Sequence, residues 1–296
     1  MKRDFLRLTD FSPAEHAALF RRARELKEAR RRGEVITTLA GRTLLLLFEK
    51  QSTRTRLSFE AAIGQLGGTA ITLPMQDSQL SRGEPLADTG AVASRYVDAI
   101  MYRTFGDERL LELARAATVP VINGLSDGGH PVQLLADLFT VEERLGPLAG
   151  KVVAWVGDGA SNMATSWIEA ASLFGFTLRI SSPEGFRPAR APGFDLVADP
   201  HEGVRGADVV TTDVWISMGQ EKEAAARRKA FAGYCVDGAL LSRAKPSAIV
   251  LHCLPAHRGE EISADVIDGP RSAVLDEAEN RMHVQKALLE ALILRR

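Results

Sequence analysis

One feature constrains this chain more than any other. A short apolar run, a polar or glycine-containing turn and a stretch of helical spacing recur in that order along most of its length. Thr43 to Phe48 (TLLLLF) reads as a buried strand, followed by a helix over 58–66 that stops at Gly67-Gly68. Further strands are expected at 70–73, 99–102 and 119–123, with helices at 86–95, 110–117 and 131–145. After Gly146, Pro147 and Gly150 the pattern restarts, with strands at 152–156, 177–181, 209–212 and 249–253 and a helix at 162–174. Such alternation predicts an α/β protein with parallel sheets covered by helices on both faces. A helix over 12–32 opens the chain, with Ser12, Pro13 and Glu15 forming an N-terminal capping box. The proline- and glycine-rich stretch 183–195 reads as a surface loop, and 277–292 as an amphipathic final helix.

At about 150 residues per domain, 296 residues suggest two domains. The break at Gly146 divides them into 1–145 and 146–276, with the last helix (277–296) returning to the first domain. The expected fold is two doubly wound parallel-sheet domains with the active site in the cleft between them.

Composition excludes several classes. With 37 basic and 38 acidic residues the formal charge is −1, which argues against a dedicated nucleic-acid binder. Two cysteines, Cys235 and Cys253, rule out a disulfide framework and a four-thiolate zinc site, and fit a reducing cytoplasm. The N-terminal stretch has charges scattered through it and no signal-peptide apolar core. No run approaches the ~20 apolar residues of a membrane span.

Polar residues cluster just after the strands: Ser52–Arg56, Tyr102-Arg103-Thr104, His130, Gly157-Asp158-Gly159, Asp213 and His252-Cys253. Ligands of open α/β sheets bind at the carboxyl ends of parallel strands, so these clusters are read as one shared cleft. Ser52-Thr53-Arg54-Thr55-Arg56 precedes a helix, whose N-terminal N–H groups together with these hydroxyls and a guanidinium suit phosphate. The pentapeptide also fits ordinary helix capping. It is not a P-loop, because GxxxxGK[ST] is missing. Gly157-Asp158-Gly159 lacks the rest of GxGxxG, so a nicotinamide enzyme fits poorly. His252-Cys253 has no further ligands at metal spacing, and Cys253 alone would also suit a covalent nucleophile.

The motifs FEKQSTRTRLSFE (48–60), YRT (102–104), HPVQ (130–133), DVWISMGQE (213–221), HCLPAHRGEE (252–261) and ENRMH (279–283) together resemble the aspartate/ornithine carbamoyltransferase superfamily, in order over nearly the whole chain. DxxxSMG with HCLP resembles the ornithine-accepting branch. The resemblance implies carbamoyl phosphate plus L-ornithine giving L-citrulline and phosphate, with no metal or organic cofactor. It implies that Ser52, Thr53, Arg54 and Thr55 hold the phosphate, and that Arg103, His130 and Gln133 join Thr55 at the carbamoyl end. Arg281 and the backbone around Cys253 and Leu254 complete that pocket. Gln79 resembles the loop that reaches a neighbouring subunit's site. Asn162, Asp213, Ser217 and Met218 match the residues that bind the α-amino and α-carboxylate groups of ornithine, Met218 through its backbone. The implied assembly is a cytoplasmic homotrimer with shared active sites.

Chemistry assigns the roles in that reaction. Negative charge develops on the carbonyl oxygen, where Arg103, Thr55 and His130 are suitable donors. Arg54 and the helix N-terminus stabilise the departing phosphate. The attacking amine must be neutral, and the phosphate can take its proton, so no protein base is required. Cys253 is expected to position ornithine and tune the pocket without forming a covalent intermediate. The expected catalytic set is Arg54, Arg103, His130 and Cys253. Two other readings stay open: transfer to another amine such as acetylornithine or putrescine, and a non-catalytic binder of phosphate metabolites.

Overall fold

The computed structural model describes residues 2–189, 192–217 and 219–294. The chain forms two compact units, one running to Leu135 and resuming at Asn280, the other spanning Ala136–Glu279.

The first unit opens with α1 (Pro13–Arg31). Ser12 caps it, and Glu15 reaches back to the Ser12 N–H to complete the capping box. Then follow β1 (Thr43–Phe48), α2 (Thr53–Gln65), β2 (Thr69–Pro74), α3 (Leu86–Ala93), β3 (Ala99–Arg103), α4 (Asp107–Ala116), β4 (Val121–Leu125) and the start of α5 (Pro131–Leu145). The strands form a parallel sheet of order β2-β1-β3-β4. Leu45, Leu47, Ile100, Tyr102, Leu113 and Val121 lie in one buried cluster on this sheet. Each such fully buried side chain contributes roughly 1.5–3 kcal/mol.

The second unit contains β5 (Val152–Val156), α6 (Asn162–Phe174), β6 (Thr177–Ser181), β7 (Asp195–Leu196), α7 (Pro200–Gly203), β8 (Val209–Thr212), α8 (Ala224–Ala230), α9 (Gly238–Leu241), β9 (Ile249–His252) and α10 (Ala264–Ile267). Its parallel sheet runs β7-β6-β5-β8-β9. The final helix, α11 (Val274–Ile293), crosses the unit boundary, as does α5. Residues 131–141 of α5 are all buried, so this helix carries no solvent stripe over its first three turns. Among the described residues no helix is long and apolar enough to cross a membrane.

Most expected elements appear, with differences at several of their ends. Helix α2 begins at Thr53, not 58, so Thr53–Arg56 form its first turn. Strand β4 is displaced by two residues, because Pro120 has no N–H for the ladder and Ile122 pairs with Phe5. The edge strand β7 borders the expected loop 183–195, and two exposed residues carry no readable period. Helices α4 and α11 each start three residues earlier than expected.

Strand order fixes where a ligand can sit. In the first sheet the chain runs from β1 to β2 on one side and later returns to β3 on the other. The second sheet reverses in the same way between β5 and β8. Such reversals open a crevice at the strands' carboxyl ends. They place the segments after β1 and β3 together in one unit, and those after β5 and β8 together in the other.

Candidate active site

In the first unit, Ser52 caps α2 from an extended conformation (φ −158°, ψ 110°), and its hydroxyl accepts the Thr55 N–H at 3.3 Å. The positive end of the helix therefore sits at the carboxyl end of β1. Thr55, one turn in, is 1% exposed. Its hydroxyl oxygen accepts from Arg281 Nη2 at 2.8 Å and from Arg103 Nη1 at 3.4 Å. Arg103 ends β3 and Arg281 lies in α11, and both are buried. Two guanidinium ions and a helix N-terminus thus converge on one hydroxyl, an arrangement suited to an anion with a polarised carbonyl.

His130 precedes α5 and is buried. Burial first, then the charges of Arg281 and Arg103, hold its pKa well below the ordinary histidine value. It is a neutral imidazole, able to donate one N–H to a carbonyl oxygen without adding charge. Gln133, one turn along, is fully buried, and its N–H donates to the His130 carbonyl at 3.0 Å. Ser52 and Arg54 are half-buried and Thr53 is exposed on the first turn of α2.

Glu49 carries no assigned role in the sequence reading, yet it braces this site. Its N–H donates to the Arg103 carbonyl at 2.9 Å. Its carboxylate accepts the Thr104 hydroxyl at 2.5 Å and Arg109 Nε at 3.0 Å. Burial would raise its pKa, but the Arg109 fork and the Thr104 hydroxyl hold it below the usual carboxylate range. The only sequence signal is an acidic residue directly after a buried strand.

In the second unit Asp213 follows β8 and Cys253 follows β9. The Cys253 thiol donates to Asp213 Oδ1 at 3.3 Å, and the Val214 N–H donates to the same oxygen at 2.8 Å. Burial, then the negative charges of Asp213, Glu277 and Asp137, push the thiol well above its usual pKa. Cys253 is a protonated thiol, not a thiolate nucleophile. Burial likewise raises the Asp213 carboxyl above its ordinary value. Ligand-type atoms of Asp213, His252 and Cys253 lie within 4.8 Å of one another. They engage protein groups as they stand: His252 Nδ1 meets the Leu254 N–H, its Nε2 meets Glu261, and the thiol meets Asp213.

Asn162 is the first residue of α6, which Ser161 caps by accepting the Ala164 N–H. The Ser217 N–H donates to Gln220 Oε1 at 3.0 Å. Met218 lies outside the described residues. Asp158 and Arg227 form a buried ion pair, and Arg227 Nε also donates to the Trp215 carbonyl at 2.6 Å. Sequence reasoning missed this pair, because Arg227 sits in an ordinary charged run (AAARRKA) 69 residues from Asp158. Gln79 is exposed on the 3₁₀ turn Gln79–Arg82 and takes no part in the hydrogen bonds on Thr55.

Comparison with known proteins assigns a family to each part. Residues 3–143 match the profile described as the aspartate/ornithine carbamoyltransferase carbamoyl-P binding domain, and 149–292 match its Asp/Orn binding domain. The chain is 53% identical over 301 residues to the ornithine carbamoyltransferase of Burkholderia lata, covering 99% of this chain and 97% of that protein. Among solved structures it is similar to ornithine carbamoyltransferase from Pyrococcus furiosus, with TM-score 0.95 and 46% identity, over 100% of this chain and 98% of that one. It is also similar to the anabolic ornithine carbamoyltransferase of Campylobacter jejuni, with TM-score 0.92 and 41% identity over 100% of both chains.

Proposed function

The chain belongs to the aspartate/ornithine carbamoyltransferase family, and we propose that it is an enzyme transferring the carbamoyl group of carbamoyl phosphate to the δ-amine of L-ornithine, giving L-citrulline and phosphate. The observation that carries this reading is the convergence of Arg103 and Arg281 on Thr55 at the N-terminus of α2, in the part matching the carbamoyl-P binding domain. The anabolic neighbour from Campylobacter jejuni favours citrulline synthesis for arginine as the direction.

In this reading Ser52, Thr53, Arg54 and Thr55 take the phosphate at the helix N-terminus. Arg103, neutral His130 and the Thr55 hydroxyl stabilise the oxygen of the carbamoyl group as the tetrahedral centre forms. Gln133, Arg281 and the backbone at Cys253 and Leu254 serve the carbamoyl end. Asn162, Asp213, Ser217 and Met218 recognise the α-amino and α-carboxylate groups of ornithine. Lone-pair attack by the neutral δ-amine forms the C–N bond, the C–O bond to phosphate breaks, and the phosphate takes the amine proton. The Cys253 thiol, kept protonated by burial and by Asp213, positions ornithine and is not a nucleophile. Gln79 serves the site of a neighbouring subunit in a cytoplasmic homotrimer. Sedimentation equilibrium tests that assembly, and a monomeric mass would refute it.

The decisive assay measures carbamoylation of ornithine, acetylornithine, putrescine and aspartate by the purified protein. Ornithine should be preferred by orders of magnitude in kcat/KM. Absence of citrulline, or preference for another amine, overturns the reading.

A further inference from the structure

Leu254 is the only non-glycine with positive φ among the described residues, at 58°. A left-handed leucine is strained and persists only where its surroundings impose it. The imposing contact is local. The Leu254 N–H donates to Nδ1 of His252, two residues back, at 2.9 Å. A ring nitrogen that accepts carries no proton, so the His252 proton belongs on Nε2. Nε2 lies 3.1 Å from Oε1 of Glu261, with both side chains fully buried. The same carboxylate oxygen accepts the His257 N–H at 2.6 Å, which ties Glu261 to the chain beyond Leu254. On the other side, the His252 N–H donates to Glu277 Oε2 at 2.9 Å. Ring orientation and tautomer are thus both set by neighbours.

We propose that His252 is a positioning residue, acting as the neutral Nε2–H imidazole that Glu261 orients, and that it holds the backbone of Leu254 in its left-handed turn. An Nδ1–H tautomer or an imidazolium would set two N–H groups against each other and release the turn. The functional part rests on the reading that the Cys253–Leu254 backbone serves the carbamoyl group.

Asparagine and glutamine separate the two ends of the ring. His252→Asn keeps an acceptor where Nδ1 stands, whereas His252→Gln moves its polar atoms toward the Nε2 position. With both variants shown folded by circular dichroism, H252N should stay within about threefold of wild type in kcat/KM for carbamoyl phosphate. H252Q should lose about tenfold or more, the size of one lost hydrogen bond to the turn. Equal behaviour of the two variants overturns the proposal. In the wild-type protein, long-range ¹H–¹⁵N correlation of labelled histidine should show Nε2 protonated and Nδ1 bare at neutral pH, and E261Q should keep that tautomer. The opposite tautomer or an imidazolium overturns the proposal. If the wild type makes no citrulline, the functional reading fails, while the ring tautomer still reports on the brace.

Discussion

Arg281 donates to the Thr55 hydroxyl at 2.8 Å from 226 residues away in sequence. The bond joins the final helix to the first turn of α2, and Arg103 approaches the same oxygen from the end of β3. One threonine therefore organises two cations contributed by separate elements.

Thr55→Val tests that organisation at nearly constant volume. Removing a donor that acts on a developing oxyanion costs on the order of 10²–10³ in rate. The expected result is a fall of that size in kcat for citrulline formation, with the far-ultraviolet circular dichroism unchanged. A fall below about threefold would separate Thr55 from catalysis.

Cys253→Ala should leave an active enzyme. Loss of a true nucleophile costs on the order of 10⁶ in kcat, as in serine proteases. Here the thiol is protonated and donates to Asp213. Turnover should fall by no more than about 10²-fold, with ornithine KM raised. Alkylation of the wild type by iodoacetamide at neutral pH should be slow at both cysteines, since burial also pushes Cys235 up to about 11.

His130 and His16 predict acid lability. Both have folded-state pKa values depressed below the ordinary 6.5, mainly by burial, and His16 Nε2 is tied to the Leu8 carbonyl at 2.8 Å. Below that value the unfolded chain binds protons that the folded chain does not. Their contribution to stability is complete above pH of about 6.5 and declines as pH falls. Urea unfolding free energies measured downward from neutral pH should decrease, and His130→Gln should flatten the slope. A slope unchanged in that variant would contradict the assignment.

Arg227→Ala leaves Asp158 buried without its cation. Breaking such a pair from one side costs about 3–5 kcal/mol. Urea unfolding should show that loss, and replacing both residues together (Arg227→Met with Asp158→Leu) should recover part of it. The recovery stays partial because Asp158 also accepts the Ala160 N–H at 2.9 Å.

Local patterns explain why much was legible in advance. Thr43–Phe48 is buried beyond Thr43, so its strand shows as an uninterrupted apolar run. Pro131–Leu145 and Asn162–Phe174 announce their ends through a proline and through Ser161 and Gly175. The first turn of α2 was not legible as helix, because Thr-Arg-Thr-Arg has no apolar period and only the Ser52 cap defines it. The pairings Glu49–Arg109, Asp158–Arg227 and His252–Glu261 were not legible as pairings, since an ion pair or a tautomer leaves no spacing rule in one sequence.

By itself, then, the sequence determined the alternating elements, the parallel sheets they imply and the residue types gathered at strand ends. These follow from periodicity and turn chemistry, which act over a few residues. Tertiary structure alone decided that Arg281 meets Thr55, that His130 is neutral, that Cys253 keeps its proton and that Leu254 adopts a left-handed turn. Each of these depends on burial and on charges brought close by chain reversal, and electrostatic energy answers to distance in space and not to separation along the chain.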